Sequence, residues 1–483
     1  MGLHWIDMIV VLLYFGLVIW MGFYTMSKVE NFDDYAVAGR SVPTAILFAT
    51  IAATLCGGGA TIGRIAFMHK AGIVVFAGLI GVVINQFWSG FFIAPKVREA
   101  GKNIYSIGDL FGLYYGRAGR LFSSIVAFLF CLALFGVQIL AMGRILQTAT
   151  GMDIIPAAIL SSVITVAYTW SGGMLAVVLT DAVQYVVLAV GISLCGILAM
   201  NNAGGFDQIM VTLNSAPEMA AKLNLFADWG PMQFLGLFLA FLLGEFCAPY
   251  FIQRYATAKS AKESKKGVLI FAGYYGFFLA TTAGIGLASL VLQPGVEPGL
   301  AMTNLVRDTL PMGLAGIVFG ALLAAVMSTG DSFINTAAVI YTRDIYNEFV
   351  NPKATQDTLL KQSRWATLII GGGSILVAVT FQDVFGLMVY VFKLWPSAIL
   401  PPLLLALTWG KIGQIKFSPY AGAPAIIVGL LTCLIWGDKV LHEPFGIPAN
   451  LMGIAANCLV LFVVHMATRN KEPKGAFAPE QLM

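Results

Sequence analysis

One stretch of the chain reads GIVFGALLAAVMSTGDSFINTAAV, and in it Ala325, Ser328 and Thr329 stand at i, i+3 and i+4. On a helix that spacing puts two hydroxyls and a carbonyl on one face. Oxygens gathered in this way suit a hard, dehydrated cation. A second stretch, ATIAATLCGGGATIGRIAF, carries Gly57, Gly58 and Gly59 at its middle. Three adjacent glycines each weaken a helix by roughly 1 kcal/mol relative to alanine. A break there frees carbonyls just upstream, such as those of Ala53 and Cys56. Freed carbonyls of a broken membrane helix are a common means of holding Na⁺ and solute. Together the two stretches offer five oxygens: the carbonyls of Ala53, Cys56 and Ala325, and the hydroxyls of Ser328 and Thr329. The competing readings are plain packing against the glycines and hydroxyls bonded back to their own helix. Other chemistries find no residues to carry them. The triplet has no Lys-Ser/Thr after it, so it is not a phosphate loop. The four histidines, at 4, 69, 442 and 465, form no metal-binding pair.

The elements that position these groups follow from composition. The chain has 483 residues, 59% hydrophobic and 11% charged, with a mean hydropathy of +0.84. Soluble domains carry roughly 25% charged residues, so a soluble protein is excluded and a polytopic membrane protein remains. Six cysteines, all in apolar stretches, do not make a disulfide scaffold. Thirteen apolar stretches are long enough to span a bilayer: 6–26, 44–67, 71–95, 121–147, 154–170, 175–199, 231–251, 267–292, 312–341, 365–381, 384–409, 420–436 and 448–468. They are unbroken rather than alternating, so the class is all-α and not a β-barrel. With the N-terminus outside, 21 of the 28 basic residues fall in inward loops and five on the other side. That bias favours N-out and C-in. Loop 200–230 has room for a short amphipathic helix.

A family resemblance emerges from four separate motifs. These are DDYAVAGRS at 33–41, YTWSGGMLAVVLTDAVQ at 168–184, YFIQRYATAKSAKESKKG at 250–267 and LLAAVMSTGDS at 322–332. Together they resemble the sodium/solute symporter family, which includes proline, pantothenate, sialic acid, sugar, iodide and choline transporters. The resemblance implies a leucine-transporter-like inverted five-plus-five repeat. It implies an extra N-terminal helix (1–30), a first repeat over 44–199, a second over 231–409, and two C-terminal helices with a cytoplasmic tail over 420–483. The second and seventh spans would be discontinuous, the seventh at LGEFCAPYF, where Gly244 and Pro249 flank Glu245. The implied activity is Na⁺-coupled symport of a small polar solute by alternating access, without catalysis. The implied setting is a bacterial inner membrane, with Na⁺, solute and lipid as partners, no nucleic acid, and a monomeric or weakly dimeric state. The family's main sodium site matches Ala53, Cys56, Ala325, Ser328 and Thr329, the set reached from spacing. A second cation position found in some members maps onto Asp181, Asp331 and Ser332. Two facing carboxylates there need a cation or a shared proton.

The solute is less legible. The second-span motif TLCGGGATIG looks most like the choline-transporter branch, yet Leu55 and Ala248 stand where that branch has tryptophan. Three further charges fall inside spans: Arg64, Glu245 and Lys393. Intramembrane charges are functional candidates because they are expensive to bury. Arg64 and Glu245 form either a structural ion pair or a clamp for the two ends of a zwitterion, and the clamp favours an amino acid or related carboxylate. Thr54, Gly57, Gly58, Gln138, Phe246, Tyr250, Tyr390 and Trp395 are the expected lining, with Asn85 and Gln86 as further candidates. A quaternary amine transporter and a non-transporting solute sensor are the alternatives.

Overall fold

The computed structural model describes residues 2–101, 103–226, 230–381, 383–409, 417–437 and 440–469. The basic residues Lys411, Lys416 and Lys439 and the charged tail after Arg469 lie outside the described residues. Among the described residues, regular structure is helical apart from one isolated bridge between Val42 and Ala258. The principal helices are α1 (Trp5–Met26), α2 (Thr44–Leu55), α3 (Arg64–Ala71), α4 (Val74–Trp88), α5 (Ile107–Thr150), α6 (Ile154–Asn202) and α7 (Pro231–Gly244). They continue with α8 (Pro249–Thr257), α9 (Ala261–Leu292), α10 (Leu314–Ile340), α11 (Gln356–Thr380), α12 (Val384–Trp409), α13 (Gly422–Trp436) and α14 (Ala449–Thr468).

By length and composition, eleven helices among the described residues can cross a membrane, and the bent pair on either side of the glycine triplet makes twelve. The sequence expectation of thirteen divides α6 in two. That helix has 49 residues, about 74 Å at 1.5 Å per residue and more than twice the ~30 Å of a hydrocarbon core. It turns at Gly173, whose φ of 54° and ψ of −144° are non-helical. Helix α5 turns in the same way at Gly116. Residues 205–221 form two short helices, Gly205–Asn214 and Pro217–Ala221, where one amphipathic helix was expected. The first of them buries only Ile209 and Leu213, one turn apart. All six cysteines are free thiols.

Helix α10 is the centre of the molecule, with 94% of its most apolar window buried. It packs against α5, α6, α1 and α2. Small residues make this approach possible, as they do in membrane helix pairs generally. At Gly191 of α6, a Cβ would overlap the Cβ of Ala321. At one end of the bundle Arg120 of α5 ties the chain together. Its guanidinium lies 2.6 Å from Asp109, 3.0 Å from Asp344 and 3.1 Å from Glu348.

Gly173 tests this architecture directly. Its φ lies in the left-handed region, and a Cβ there would stand 2.7 Å from the Tyr35 carbonyl oxygen. Gly173→Ala is expected to lower stability by about 1–3 kcal/mol, read as a lower Tm in detergent, whereas Gly276→Ala, with open space around it, leaves Tm unchanged.

Candidate functional site

The glycine triplet breaks the second span as expected. Helix α2 ends at Leu55, and Cys56 has a non-helical ψ of 29°. A wide turn over Gly59–Gly63 leads into α3, and the two halves meet at a bend of 54°. In an unbroken helix the carbonyls of Ala53 and Thr54 would accept from the N–H groups of residues 57 and 58. Instead the Gly58 N–H donates to Gln138 Oε1 at 2.9 Å. The carbonyls turn to α10: Ser328 Oγ donates to Ala53 O at 2.9 Å, and Thr329 Oγ1 to Thr54 O at 2.6 Å. The same hydroxyls lie 3.1 and 2.8 Å from Ala325 O.

Ala325, Ser328 and Thr329, chosen from spacing, and Ala53, chosen from the glycine break, therefore meet at one place. Cys56 is fully buried beside them. The next residue, Gly57, lies so close to Thr329 that a Cβ would overlap its hydroxyl. The carbonyl oxygen of Thr54 joins the cluster, although the sequence suggested that residue only for the lining. The donor set is entirely oxygen, which fits a hard monovalent or divalent cation and not a soft one.

The seventh span is also discontinuous. Between α7 and α8, Glu245 to Ala248 leave the helix, and Cys247 adopts a φ of 54°. Pro249, which has no N–H to leave unpaired, restarts it. The freed, buried Phe246 carbonyl accepts from Trp395 Nε1 at 3.1 Å. Phe246 and Trp395 thus hold the break rather than line the cavity.

Both breaks open onto one cavity. Thr54, Gly57, Arg64, Gln138, Glu245, Tyr250 and Thr329 line it, as do Tyr275, Phe333, Phe241, Phe392 and Met388. The last five carried no signal in the sequence beyond being apolar or aromatic. Arg64 is 2% exposed and Glu245 9%. No direct ion pair joins the two among the described residues. Arg64 Nη2 donates to the Tyr275 hydroxyl, and its guanidinium lies 5.3 Å from the Tyr275 ring centre. Arg64 Nε, Arg64 Nη1 and Glu245 Oε2 have no hydrogen-bond partner among the described residues. Buried charges left in that state cost several kcal/mol.

Several of the other expected site residues lie elsewhere. Lys393 Nζ sits 2.8 Å from Glu443 Oε1 in a separate cleft with Gln233, Leu237 and Pro448. Tyr390 and Phe246 are not part of the lining, and Gly58 reaches it only through its bond to Gln138. Asn85 is engaged with the Leu242 carbonyl at 3.0 Å, and Gln86 is buried away from the cavity.

The positions mapped as a second cation site hold a surprise from the seventh span. Arg254, counted from sequence in an inward loop, is fully buried on α8. Its Nη2 lies 3.2 Å from Asp181 Oδ2, 2.5 Å from Thr54 Oγ1 and in contact with Ser332 Oγ. Its Nε donates to Thr50 Oγ1 at 3.1 Å. Asp331 accepts from Tyr168 at 2.8 Å and from Ser332 at 3.1 Å. Arg254 is thus a cation beside Asp181, whose Oδ1 has no partner among the described residues. An unanswered Asp181 was the signal that pointed to it.

A model of the Sodium:solute symporter family matches residues 35–415. The osmoregulated proline transporter OpuE of Bacillus subtilis (strain 168) is 24% identical over 473 residues, covering 95% of this chain and 94% of the relative. The high-affinity proline transporter PutP of the same strain is 26% identical over 462 residues, covering 93% and 95%. Among solved structures, a Na⁺-coupled sialic acid symporter superposes with a TM-score of 0.82 at 20% identity, covering 96% of this chain and 98% of the other. The nucleobase-cation-symport-1 family transporter Mhp1 superposes with a TM-score of 0.61. The fold is therefore the leucine-transporter-like inverted-repeat arrangement.

Gln138 carries a prediction of its own. Gln138→Leu keeps the size of the side chain but strands the buried Gly58 N–H, at a cost of about 1–3 kcal/mol. A melt of the purified variant is expected to show a clear drop in Tm, and an unchanged Tm means that this bond does not hold the break.

Proposed function

Because the chain belongs to the sodium:solute symporter family, and so is a Na⁺-coupled secondary transporter of a small polar solute and not an enzyme, we propose that its solute is an amino acid or related zwitterion held between Arg64 and Glu245. The observation that carries this reading is the pair of opposite charges on the two broken helices. Each faces the same cavity with polar atoms unpartnered. A solute carboxylate satisfies Arg64 through charge-assisted hydrogen bonds, and a solute ammonium satisfies Glu245. Aromatic and aliphatic walls, from Phe241, Phe333, Phe392 and Met388, suit a compact apolar body between those ends. The proline transporters among the relatives make L-proline the first compound to try.

A quaternary amine fits the cavity less well. Its richest aromatic face, at Tyr275, already carries the Arg64 guanidinium, and a second fixed cation there is repelled. Leu55 lines the cavity and Ala248 is buried where the choline branch has tryptophan.

Na⁺ is assigned to the oxygens of Ala53, Cys56, Ala325, Ser328 and Thr329, with the Thr54 carbonyl alongside. An ion there replaces the hydroxyl-to-carbonyl bonds now joining α2 to α10 and so ties the broken helix to the central one. Gly57 belongs to both sites, since it touches Thr329 and lines the cavity. Na⁺ and solute thereby favour one conformation jointly, which is what coupling requires. With α6 read as two spans across Gly173, the chain has thirteen. The repeats are then 44–199 and 231–409, with the N-terminus outside a bacterial inner membrane.

A thermal-shift screen with and without Na⁺ tests the solute class. Amino acids, led by L-proline, are expected to stabilise the protein only with Na⁺; stabilisation by choline and by no amino acid overturns the zwitterion. For the solute so found, Arg64→Gln should raise Kd about 30-fold or more, the loss of about 2 kcal/mol from a buried charged contact. Separately, Ser328→Ala and Thr329→Ala are each expected to raise the half-saturating Na⁺ concentration for uptake into proteoliposomes about tenfold. Unchanged Na⁺ dependence in both removes the main sodium site.

A further inference from the structure

Arg64 and Glu245 face one cavity with opposite charges, yet no direct ion pair joins them among the described residues. In an interior that screens poorly such charges attract one another, and an arginine is long enough to swing. What holds the guanidinium back is α9. Arg64 Nη2 donates to the Tyr275 hydroxyl. The cation lies 5.3 Å from the centre of the Tyr275 ring and 5.9 Å from that of Phe278. The two rings stand one turn apart on α9, with 6.1 Å between their centres, and both are buried. Together they make a shelf that attracts a cation without neutralising it. The Tyr275 oxygen accepts from Arg64, which leaves its own O–H to donate, and Tyr275 lines the cavity.

We propose that Tyr275 is a specificity-determining residue: its ring, with that of Phe278, keeps Arg64 off Glu245, and its hydroxyl donates to the solute carboxylate beside Arg64. The hydroxyl's role rests on the zwitterion reading above, and the shelf does not. A carboxylate has two oxygens to place. One meets Arg64 Nη1, which has no partner in the protein, and the other meets the Tyr275 proton. Both bonds are charge-assisted. A solute without the carboxylate leaves these buried donors unpaired, and a site built to hydrogen-bond a group rejects analogues that lack it. The shelf adds preorganisation. A solute entering the cavity has no Arg64–Glu245 pair to break before it binds, so less of its binding energy goes into rearranging the site.

Two measurements on the purified full-length protein test this. The first needs no solute. In wild type, where Glu245 is not paired with Arg64, Glu245→Gln is expected to leave Tm unchanged or raise it. In a Tyr275→Leu background, where Arg64 is free to reach Glu245, the same change is expected to lower Tm by about 2–4 °C. Phe278→Leu should give the same reversal at smaller size, and it decides alone if Tyr275→Leu cannot be purified. An equal effect of Glu245→Gln in every background overturns the shelf. The second measurement reads the hydroxyl, with radiolabelled L-amino acids as probes in saturating Na⁺, L-proline first. Tyr275→Phe keeps the ring. It should raise the Kd of the amino acid that binds about tenfold, and narrow the preference for that amino acid over its amide about fivefold. Loss of packing alone would weaken both alike. An unchanged Kd in Tyr275→Phe overturns the hydroxyl's role and leaves the zwitterion reading standing. Binding of no amino acid to wild type overturns that reading and the hydroxyl's role with it, while the Tm comparison still decides the shelf.

Discussion

In a bilayer core every backbone N–H and C=O must find a partner inside the protein, and the broken second span shows how this chain meets that demand. The triplet Gly57–Gly59 ends α2 early and strands the carbonyls of Ala53 and Thr54 and the N–H of Gly58. Ser328 and Thr329 answer the carbonyls, and Gln138 answers the N–H. The placement of α10 at the centre, buried on all sides, follows from that need. Only a helix held tightly against the break can supply hydroxyls at the right height. The close approach is made possible by small residues, above all Gly57 against Thr329.

The few intramembrane charges divide according to whether the protein satisfies them. Arg254 is satisfied by Asp181 and by three hydroxyls, so it stabilises the junction of α2, α6, α8 and α10. Lys393 is satisfied by Glu443 and lies away from the cavity. Arg64 and Glu245 retain polar atoms with no protein partner. Asp181 Oδ1, beside Arg254, is likewise without a partner, so it is the cations that the structure sorts, and on the proposed reading Arg64 is the one left for a solute. This sorting is a matter of geometry and not of residue type.

Much of the site was legible in the chain. The i, i+3, i+4 spacing of Ala325, Ser328 and Thr329 survives in space because a helix is a rigid ruler. The glycine triplet could be read as a break because backbone entropy depends on local sequence alone. What failed were inferences across the bundle. Phe246, Tyr390 and Lys393 stood at plausible heights but lie outside the cavity. Arg254 was placed in a loop because apolar run length ended the seventh span at residue 251, while α8 continues to Thr257. Run length measures exposure to lipid, and Arg254 is shielded from lipid by the protein.

The sequence by itself determined the membrane class, the two helix breaks and the set of oxygens on α10, each a property of one segment and its neighbours in the chain. Tertiary structure decided which charges meet. Whether Arg64 pairs with Glu245 or Arg254 with Asp181 depends on how helices far apart in sequence rotate and tilt against one another. Hydrophobic spans constrain rotation only weakly, because lipid and protein interior are almost equally apolar. Polar contacts such as the Thr50, Thr54 and Ser332 hydroxyls around one guanidinium settle it, and they exist only once the bundle has formed.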